Sequence, residues 1–367
     1  MAKIGIDARL YGPKHTGIGR YVQNLVVNLT KLRTSHRFYV FGPDDIATDL
    51  RGINHFTHIP LRTSIYGVAE QTINPFHFLR HQLDLLHVPH FNAPLIYPKK
   101  YVITIHDLIK HQSVGPATTT LPKTQYLLKH QVYKGIISYH AHRANHIIVP
   151  SFYWKEKLIS HYHLSPDKIS VTYEAVDDLH FSKDVQDQPS IHVQKPFLVY
   201  CGNLYPHKNV NLLIRAVDQY NHQNSLKLTL ALVGSRSAFV NRLPQSPAVV
   251  HLGYLTDAEL HELYSHALAL VQPSLIEGFG LTGLEAMASG LPVISSSASC
   301  LPEIYQDAAL YFDPYSQEDL VAKISQIVSD KDLRLTLKQE GFNQVKLYSW
   351  RKMAKQTLEI YDKVVSS

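Results

Sequence analysis

The chain has no run of 18 apolar residues, so nothing in it reads as a transmembrane helix. Residues 1–20 lack the apolar h-region of a secretory signal, and a cytoplasmic protein is the expectation. Cysteine is scarce. Cys201 and Cys300 are isolated, match no metal-ligand or redox spacing, and read as packed thiols. Charged residues make up only 18% of the chain against 45% apolar, the balance of a soluble globular protein with sizeable cores. There is no dense Lys/Arg block and no nucleic-acid signature, which argues against a nucleic-acid partner. No fixed-period repeat is visible.

The charge that is present falls unevenly. Residues 1–190 carry 21 Lys+Arg and 14 Asp+Glu, or +7; residues 191–367 carry 15 and 16, or −1, which together make the net +6. Seventeen of the 23 histidines also lie in the first part. A basic half suggests an anionic partner such as a membrane surface or lipid phosphate, against the plainer reading of diffuse surface charge.

A length of 367 residues predicts two domains. Apolar runs at 2–8, 38–41, 85–88, 102–105, 147–149 and 169–172 read as strands, with helical patterns between several of them, notably 123–143 and 152–162. Residues 176–195 are polar and unpatterned and read as a linker. A second alternating series follows, with strands at 197–201, 226–233, 249–252, 268–271, 292–295 and 310–312. Strands alternating with helices imply an α/β fold with parallel sheets, whose ligands bind beyond the carboxyl ends of the strands. The expected domains are 1–190 and 191–348, with a last helix from Trp350 that has Met353, Leu358, Tyr361 and Val364 on one face.

One stretch organises the second half. The buried run Leu268–Val271 ends at Pro273, a glycine turn follows at Glu277-Gly278-Phe279-Gly280, and helix formers run from Leu281 to Ser289. The free N–H groups of a first helical turn suit a phosphate. Glu277 and Glu285 frame that turn eight residues apart, which suits hydroxyl groups held on either side of a phosphate: a ribose at Glu285 and a sugar at Glu277. A diphosphate carries about two charges and a helix end offsets only about half of one, so a fixed cation is wanted. Lys208 and Arg236 each follow a predicted strand of the second half and are the candidates, although a loop Lys is often just a solvated charge.

Weaker signals lie in the first half. Gly17 and Gly19 open a helix just after a strand, which fits either a second anion site or plain turn residues. His106-Asp107 follows the strand Tyr101–Ile105 and reads as a sugar-contacting pair or as a loop His with a capping Asp. Ser151 reads as an N-cap near the ligand edge of the sheet.

These residues together resemble the GT-B retaining glycosyltransferases of the fourth family, which includes sucrose synthases and bacterial mannosyl- and glucosyltransferases. The resemblance runs through Asp7-Ala8-Arg9, Thr16 to Tyr21, Thr104 to Leu108, Val149-Pro150-Ser151 and Gly202 to Asn209. It is strongest from Pro273-Ser274 to Pro292-Val293, which contains the paired-glutamate motif. It implies two Rossmann-like domains facing across a cleft and a nucleotide-sugar held mainly by the C-terminal one. Lys208 would bind the diphosphate, and the backbone of Phe279, Gly280, Leu281 and Thr282 its distal phosphate. Glu285 would hold the ribose and Glu277 the donor sugar, with His106 beside that sugar and Gly17 and Gly19 facing the phosphate. The last helix would cross back onto the first domain.

Asn203 stands where the family usually has arginine, which removes one cation that Arg236 could replace. The implied reaction retains anomeric configuration, uses no protein nucleophile and needs no metal or other cofactor. The donor leans towards GDP-mannose, with a UDP- or dTDP-sugar next. A glycan or lipid-diphosphate-linked glycan is the expected acceptor, and peripheral docking on the inner face of a membrane goes with it. Two rival readings use the same residues. Gly278-x-Gly280-x-x-Gly283 with Glu303 formally matches the dinucleotide fingerprint of an NAD-dependent oxidoreductase, although it sits late in the chain rather than in the first βαβ unit. Paired carboxylates also suit a glycosidase, but the phosphate-type turn between them does not.

Overall fold

A computed structural model describes residues 1–176, 191–234 and 239–367, without the side chains of Pro13 and Thr16. Most of the predicted linker, 177–190, and the predicted cation Arg236 lie outside the described residues. Contacts divide the chain into two compact units: unit 1, residues 1–108, 121–174 and 349–367, and unit 2, residues 109–120 and 175–348. Residues 109–120 thus go with unit 2 rather than with the remainder of 1–190. Arg242 of unit 2 ties them down, donating from Nη1 to the Ala117 carbonyl at 2.7 Å.

Unit 1 holds a parallel seven-stranded sheet: β1 (Lys3–Asp7), β2 (Arg37–Gly42), β3 (Phe56–Pro60), β4 (Leu85–Val88), β5 (Tyr101–Thr104), β6 (His146–Val149) and β7 (Ile169–Val171), in the order β3-β2-β1-β4-β5-β6-β7. β4, β5 and β6 are buried along their whole length, which is why they read as continuous apolar runs. β3 is not among the predicted strands, because it is an edge strand whose burial is interrupted by exposed Thr57 and Pro60.

Unit 2 holds a parallel six-stranded sheet: β8 (Phe197–Cys201), β9 (Thr229–Val233), β10 (Val249–Gly253), β11 (Ala269–Gln272), β12 (Val293–Ser296) and β13 (Ala309–Phe312), in the order β10-β9-β8-β11-β12-β13. Each sheet is wound outward from its first strand to one edge and then back to the other side. The winding reverses between β1 and β4 in unit 1 and between β8 and β11 in unit 2. At such a reversal the two strand-end loops run to opposite faces and leave a crevice, where open α/β sheets bind ligands.

The last helix, Trp350–Ser366, belongs to unit 1. Trp350, Met353, Ala354, Thr357, Leu358, Tyr361 and Val364 form its buried stripe at helical spacing. Polar bonds fix its register on the sheet. Tyr361 Oη lies 2.6 Å from His87 Nδ1, and Asp362 lies 2.6 Å from His36 Nε2. His87 in turn places its Nε2 2.9 Å from Thr104 Oγ1, joining β4, β5 and the last helix.

Several of the many histidines in the first half are therefore structural. Burial pushes His87 down to about 3 and His140 and His146 to about 4. All three stay neutral in the folded chain, whereas the unfolded chain protonates them near pH 6.5. Below that pH the unfolded state binds more protons, so stability falls on acidification from about pH 6.5 towards 4, by up to about 1.4 kcal/mol per pH unit for each histidine. Denaturant melts should show a lower unfolding midpoint at about pH 5 than at about pH 7; equal midpoints would contradict neutral burial.

Candidate active site

The loops after β8 and β11 flank the reversal in unit 2, and each supplies one charged side chain. After β8, Pro206 opens the short 3-10 turn Pro206–Lys208, and Asn209 ends it in the left-handed region with φ 55°. A proline suits a first helical position and asparagine tolerates positive φ, so this local sequence makes the turn that aims Lys208 inward. After β11, Pro273 to Gly280 form the second loop. A backbone bond from Leu275 N to His207 O, 2.8 Å, ties the two loops together.

Lys208 Nζ donates to both carboxylate oxygens of Glu277 at 2.7 Å. The carboxylate also accepts from Ser274 Oγ at 2.6 Å and Gln272 Nε2 at 3.1 Å. Burial opposes its charge, but Lys208 and these donors outweigh burial and hold Glu277 below the usual carboxylate range. His207, next to Lys208, is pushed down to about 4 by burial and by that ammonium, so it is neutral at pH 7.

The loop that carries Glu277 is braced from β12. Ser299 Oγ accepts from Glu277 N at 3.0 Å, Ser296 Oγ donates to Ser274 O at 2.6 Å, and Cys300 Sγ lies 3.3 Å from Glu277 O and 3.5 Å from Phe279 O. Burial raises the Cys300 thiol well above its usual range, so it braces the loop as a neutral group. Phe279 is buried edge-on against Tyr348, with ring centroids 5.8 Å apart.

The glycine spacing has a local cause. Gly280 has φ 106° and caps the helix Leu281–Ala288, which no side chain caps. Tyr305 Oη lies 2.6 Å from Gly280 O and 2.5 Å from Gln272 Oε1, and its single proton is shared between these two acceptors. A Cβ on Gly280 would come within 2.5 Å of that hydroxyl, and one on Gly283 would land on the same ring. Gly280 and Gly283 are thus required by Tyr305, so their match to a dinucleotide fingerprint needs no nicotinamide cofactor to explain it. Leu281 and Thr282 make the first helical turn beside Glu277, and half-buried Glu285 sits on the next.

The remaining predicted residues have other placements. The Asn203 side chain serves the turn itself, accepting from Tyr205 N at 3.3 Å. In unit 1, Gly17 and Gly19 do open the helix Thr16–Leu29, but a Cβ on Gly19 would strike the carbonyls of Leu10 and Gly12. Gly19 is therefore needed by the chain's own loop. His106 follows β5 half-buried, and its carboxylate partner is Glu174: Nδ1 is 3.2 Å from Glu174 Oε1 and Nε2 3.2 Å from Pro89 O. Tyr21 packs edge-on to the imidazole at 4.8 Å. Ser151 is an N-cap, accepting from Trp154 N at 3.3 Å. Sequence analysis missed Gln272, Ser299, Cys300 and Tyr305 as site residues, and Glu174. Ser299, Cys300 and Tyr305 follow β12, Gln272 ends β11 and Glu174 follows β7 in unit 1, and no spacing in the chain marks them.

Two family models match almost all of the chain. The model for glycosyltransferase family 4 matches residues 15–178, and that for glycosyl transferases group 1 matches residues 182–344. The chain belongs to the family 4 (group 1) glycosyltransferases. Among similar proteins, the O-antigen chain mannosyltransferase B of Escherichia coli is 27% identical over 94% of this chain and 96% of its own. The O-antigen chain mannosyltransferase RfbU of Salmonella typhimurium is 28% identical over 65% of this chain and 63% of its own. Among solved structures, the sucrose-phosphate synthase of Thermosynechococcus elongatus superposes with a TM-score of 0.75 over 100% of both chains at 21% identity. Anabaena Alr3699/HepE in complex with UDP and glucose gives 0.72 over 99% of both at 17%. At these identities the likeness is one of fold, and the fold is GT-B.

In this glycosyltransferase the Lys208–Glu277 pair is largely buried, with side-chain exposures of 17% and 9%. Breaking such a pair strands a charge, so Lys208→Ala should cost about 3–5 kcal/mol of stability. Adding Glu277→Gln should recover most of that loss. Thermal unfolding of both single variants and the double variant measures the coupling; a double variant as unstable as the sum of the singles would show no coupling.

Proposed function

We propose that the enzyme transfers a hexose, mannose from GDP-mannose, with retention of configuration, to a glycan or lipid-linked glycan. The observation that carries this reading is the Lys208–Glu277 pair at the sheet reversal beside the uncapped start of the helix Leu281–Ala288. An ammonium has three donors, and Glu277 takes two of them, leaving one for a diphosphate oxygen. The first-turn N–H groups receive the distal phosphate, Glu285 holds the ribose hydroxyls, and Glu277 accepts from the donor sugar. The full-length similarity to a mannosyltransferase supports mannose.

In the reaction the bond from the anomeric carbon to the diphosphate oxygen breaks as a bond to the acceptor oxygen forms on the same face. The acceptor proton passes to the departing diphosphate oxygen, so no protein nucleophile takes part. Charge grows on the leaving group, Lys208 and the helix N–H groups are the donors that meet it in this reading, and Arg236 is the sequence candidate for a second cation. The proposed chemistry thus uses protein donors rather than a metal.

A thermal-shift panel of GDP, UDP, dTDP and ADP with their sugars tests the donor. GDP and GDP-mannose should stabilise the chain most; stabilisation by UDP-sugars alone would reassign the donor, and none by any nucleotide would sink the reading. Lys208→Ala and Glu277→Ala should each cut turnover on the order of 100-fold, by analogy with lost oxyanion donors. NMR of the new linkage should show the donor's anomeric configuration.

Peripheral membrane docking belongs to the same proposal. Residues 108–155 contain six Lys/Arg and no Asp or Glu. Within them the helix Lys123–Arg143 leaves Leu127, Leu128 and Val132 exposed beside Lys129. Apolar side chains among basic ones suit an anionic lipid surface, at about 1 kcal/mol per Lys or Arg. Co-sedimentation with phosphatidylglycerol vesicles should weaken as salt rises and on Leu128→Glu. Sedimentation indifferent to vesicles and salt would remove the membrane from the account.

A further inference from the structure

Residues 109–120 belong to unit 2, although the chain on either side of them, up to Leu108 and from Leu121, belongs to unit 1. None of the twelve is fully buried, so the segment has no core of its own and depends on hydrogen bonds to stay in place. Gly115 bends it with φ 106°, a left-handed value that suits glycine. Pro116 then opens a 3-10 turn, Pro116–Thr118, which Thr118 Oγ1 closes by donating to Gly115 O at 2.8 Å. This turn lies against the turn Pro206–Lys208, which carries the lysine of the candidate active site.

A three-residue turn does not hold its own shape, so the Lys208 turn needs ties. The bond from Leu275 N to His207 O is one. A row of side chains leads to a second. His207 stacks on Tyr205, with ring planes 12° and centroids 5.8 Å apart, and Tyr205 meets Phe239 at 4.9 Å. The Arg242 guanidinium lies 4.8 Å from the Phe239 ring centre, a cation–π distance. At Arg242 the row meets the segment. Its Nη1 donates to Ala117 O at 2.7 Å and its Nη2 to Thr119 O at 3.3 Å. Covering Phe239 takes only an apolar stem. Two bonds to carbonyls two residues apart use the planar fork of the guanidinium, which packing alone does not call for.

We infer that residues 109–120 form a strap that Arg242 fastens against the turn carrying Lys208, and that Arg242 is a positioning residue for that lysine. Arg242 touches no part of the donor. It acts by keeping the turn in one conformation. An unfastened turn visits others, and a nucleotide then binds only the competent fraction, so its apparent affinity falls by that fraction. The inference rests on the proposed function in one respect, that Lys208 meets a diphosphate.

Hydrogen–deuterium exchange of the full chain, read by mass spectrometry, tests the fastening with no ligand present. Arg242→Met keeps a long stem over Phe239 and loses both bonds, and as Arg242 is exposed the variant should fold. Amides within 115–120 and 205–209 should exchange about tenfold faster than in the wild type, the loss of charge-assisted hydrogen bonds. Arg242→Lys restores a cation with donors and should recover part of that protection. Calorimetric titration with GDP should show about tenfold weaker binding to Arg242→Met than to the wild type. A role limited to covering Phe239 would leave exchange and GDP affinity at wild-type values in the Met variant, and that result overturns the inference. Faster exchange at 115–120 alone, with 205–209 and GDP affinity unchanged, overturns it too. The wild-type titration keeps the two readings apart. If the wild type binds GDP and the variant exchanges as the wild type does, only the strap falls. If the wild type binds neither GDP nor GDP-mannose, the donor reading falls, and exchange at 205–209 still decides the strap.

Discussion

An ammonium and a carboxylate, 69 residues apart in sequence, are buried against each other where the winding of a parallel sheet reverses. Among the described residues of unit 2, the loops after β8 and β11 are arranged around that pair. β8 and β11 are neighbours in the sheet, so their loops leave from the same edge and diverge to opposite faces. Two opposite charges out of water tolerate each other only when further donors satisfy them. Gln272 and Ser274 supply those donors, and Ser299 and Cys300 hold the backbone that presents Glu277. Tyr305 closes the arrangement by bonding both Gln272 and the glycine that starts the next helix. In the proposed transfer, donors already in place spare the site any reorganisation as the bond to the diphosphate lengthens.

Unit 1 repeats the geometry with different chemistry. Its sheet reverses between β1 and β4, and the loops there again bury charge, but in the ratio of two carboxylates to one guanidinium. One crevice is built around a cation with a helix start beside it, and the other around surplus acceptors. The last helix belongs to unit 1 although it follows unit 2 in the chain, and Tyr361 reaches His87, which bonds Thr104 at the carboxyl end of β5. His106 lies two residues beyond Thr104 on the same strand end, and Tyr21 touches both.

Much of this was legible beforehand because it is local. β4, β5, β6, β8 and β11 are short apolar runs, and a parallel strand covered on both faces has no other way to be written. The stretch from Glu277 to Glu285 announced a strand, a turn and a helix, and Lys208 was singled out by its place just past a strand. What was not legible has a common cause. β3 carries little apolar signal because it is an edge. Gly19 read as either part of an anion site or a plain turn residue, and Gly283 as part of a formal fingerprint; the atoms that a Cβ would meet there belong to Leu10, Gly12 and Tyr305. A glycine records that something comes close, and its identity comes only from what packs there. Glu174, which lies 3.2 Å from His106 Nδ1, comes from 68 residues away and has no mark in the sequence beside His106-Asp107.

Sequence by itself determined the class of fold, the two sheets and the turn that carries Glu277, since hydrophobic period, glycine and proline act within a few residues of where they stand. Tertiary structure alone decided that Lys208 would spend two of its donors on Glu277, that Cys300 and Tyr305 would brace the loop, and that Asp7, Arg9, Glu70 and Asn92 would share one cavity. Those groups meet because strands distant in the chain lie side by side in a sheet, and a hydrogen bond of less than 3 Å leaves no trace in a pattern of residues 60 or more positions apart.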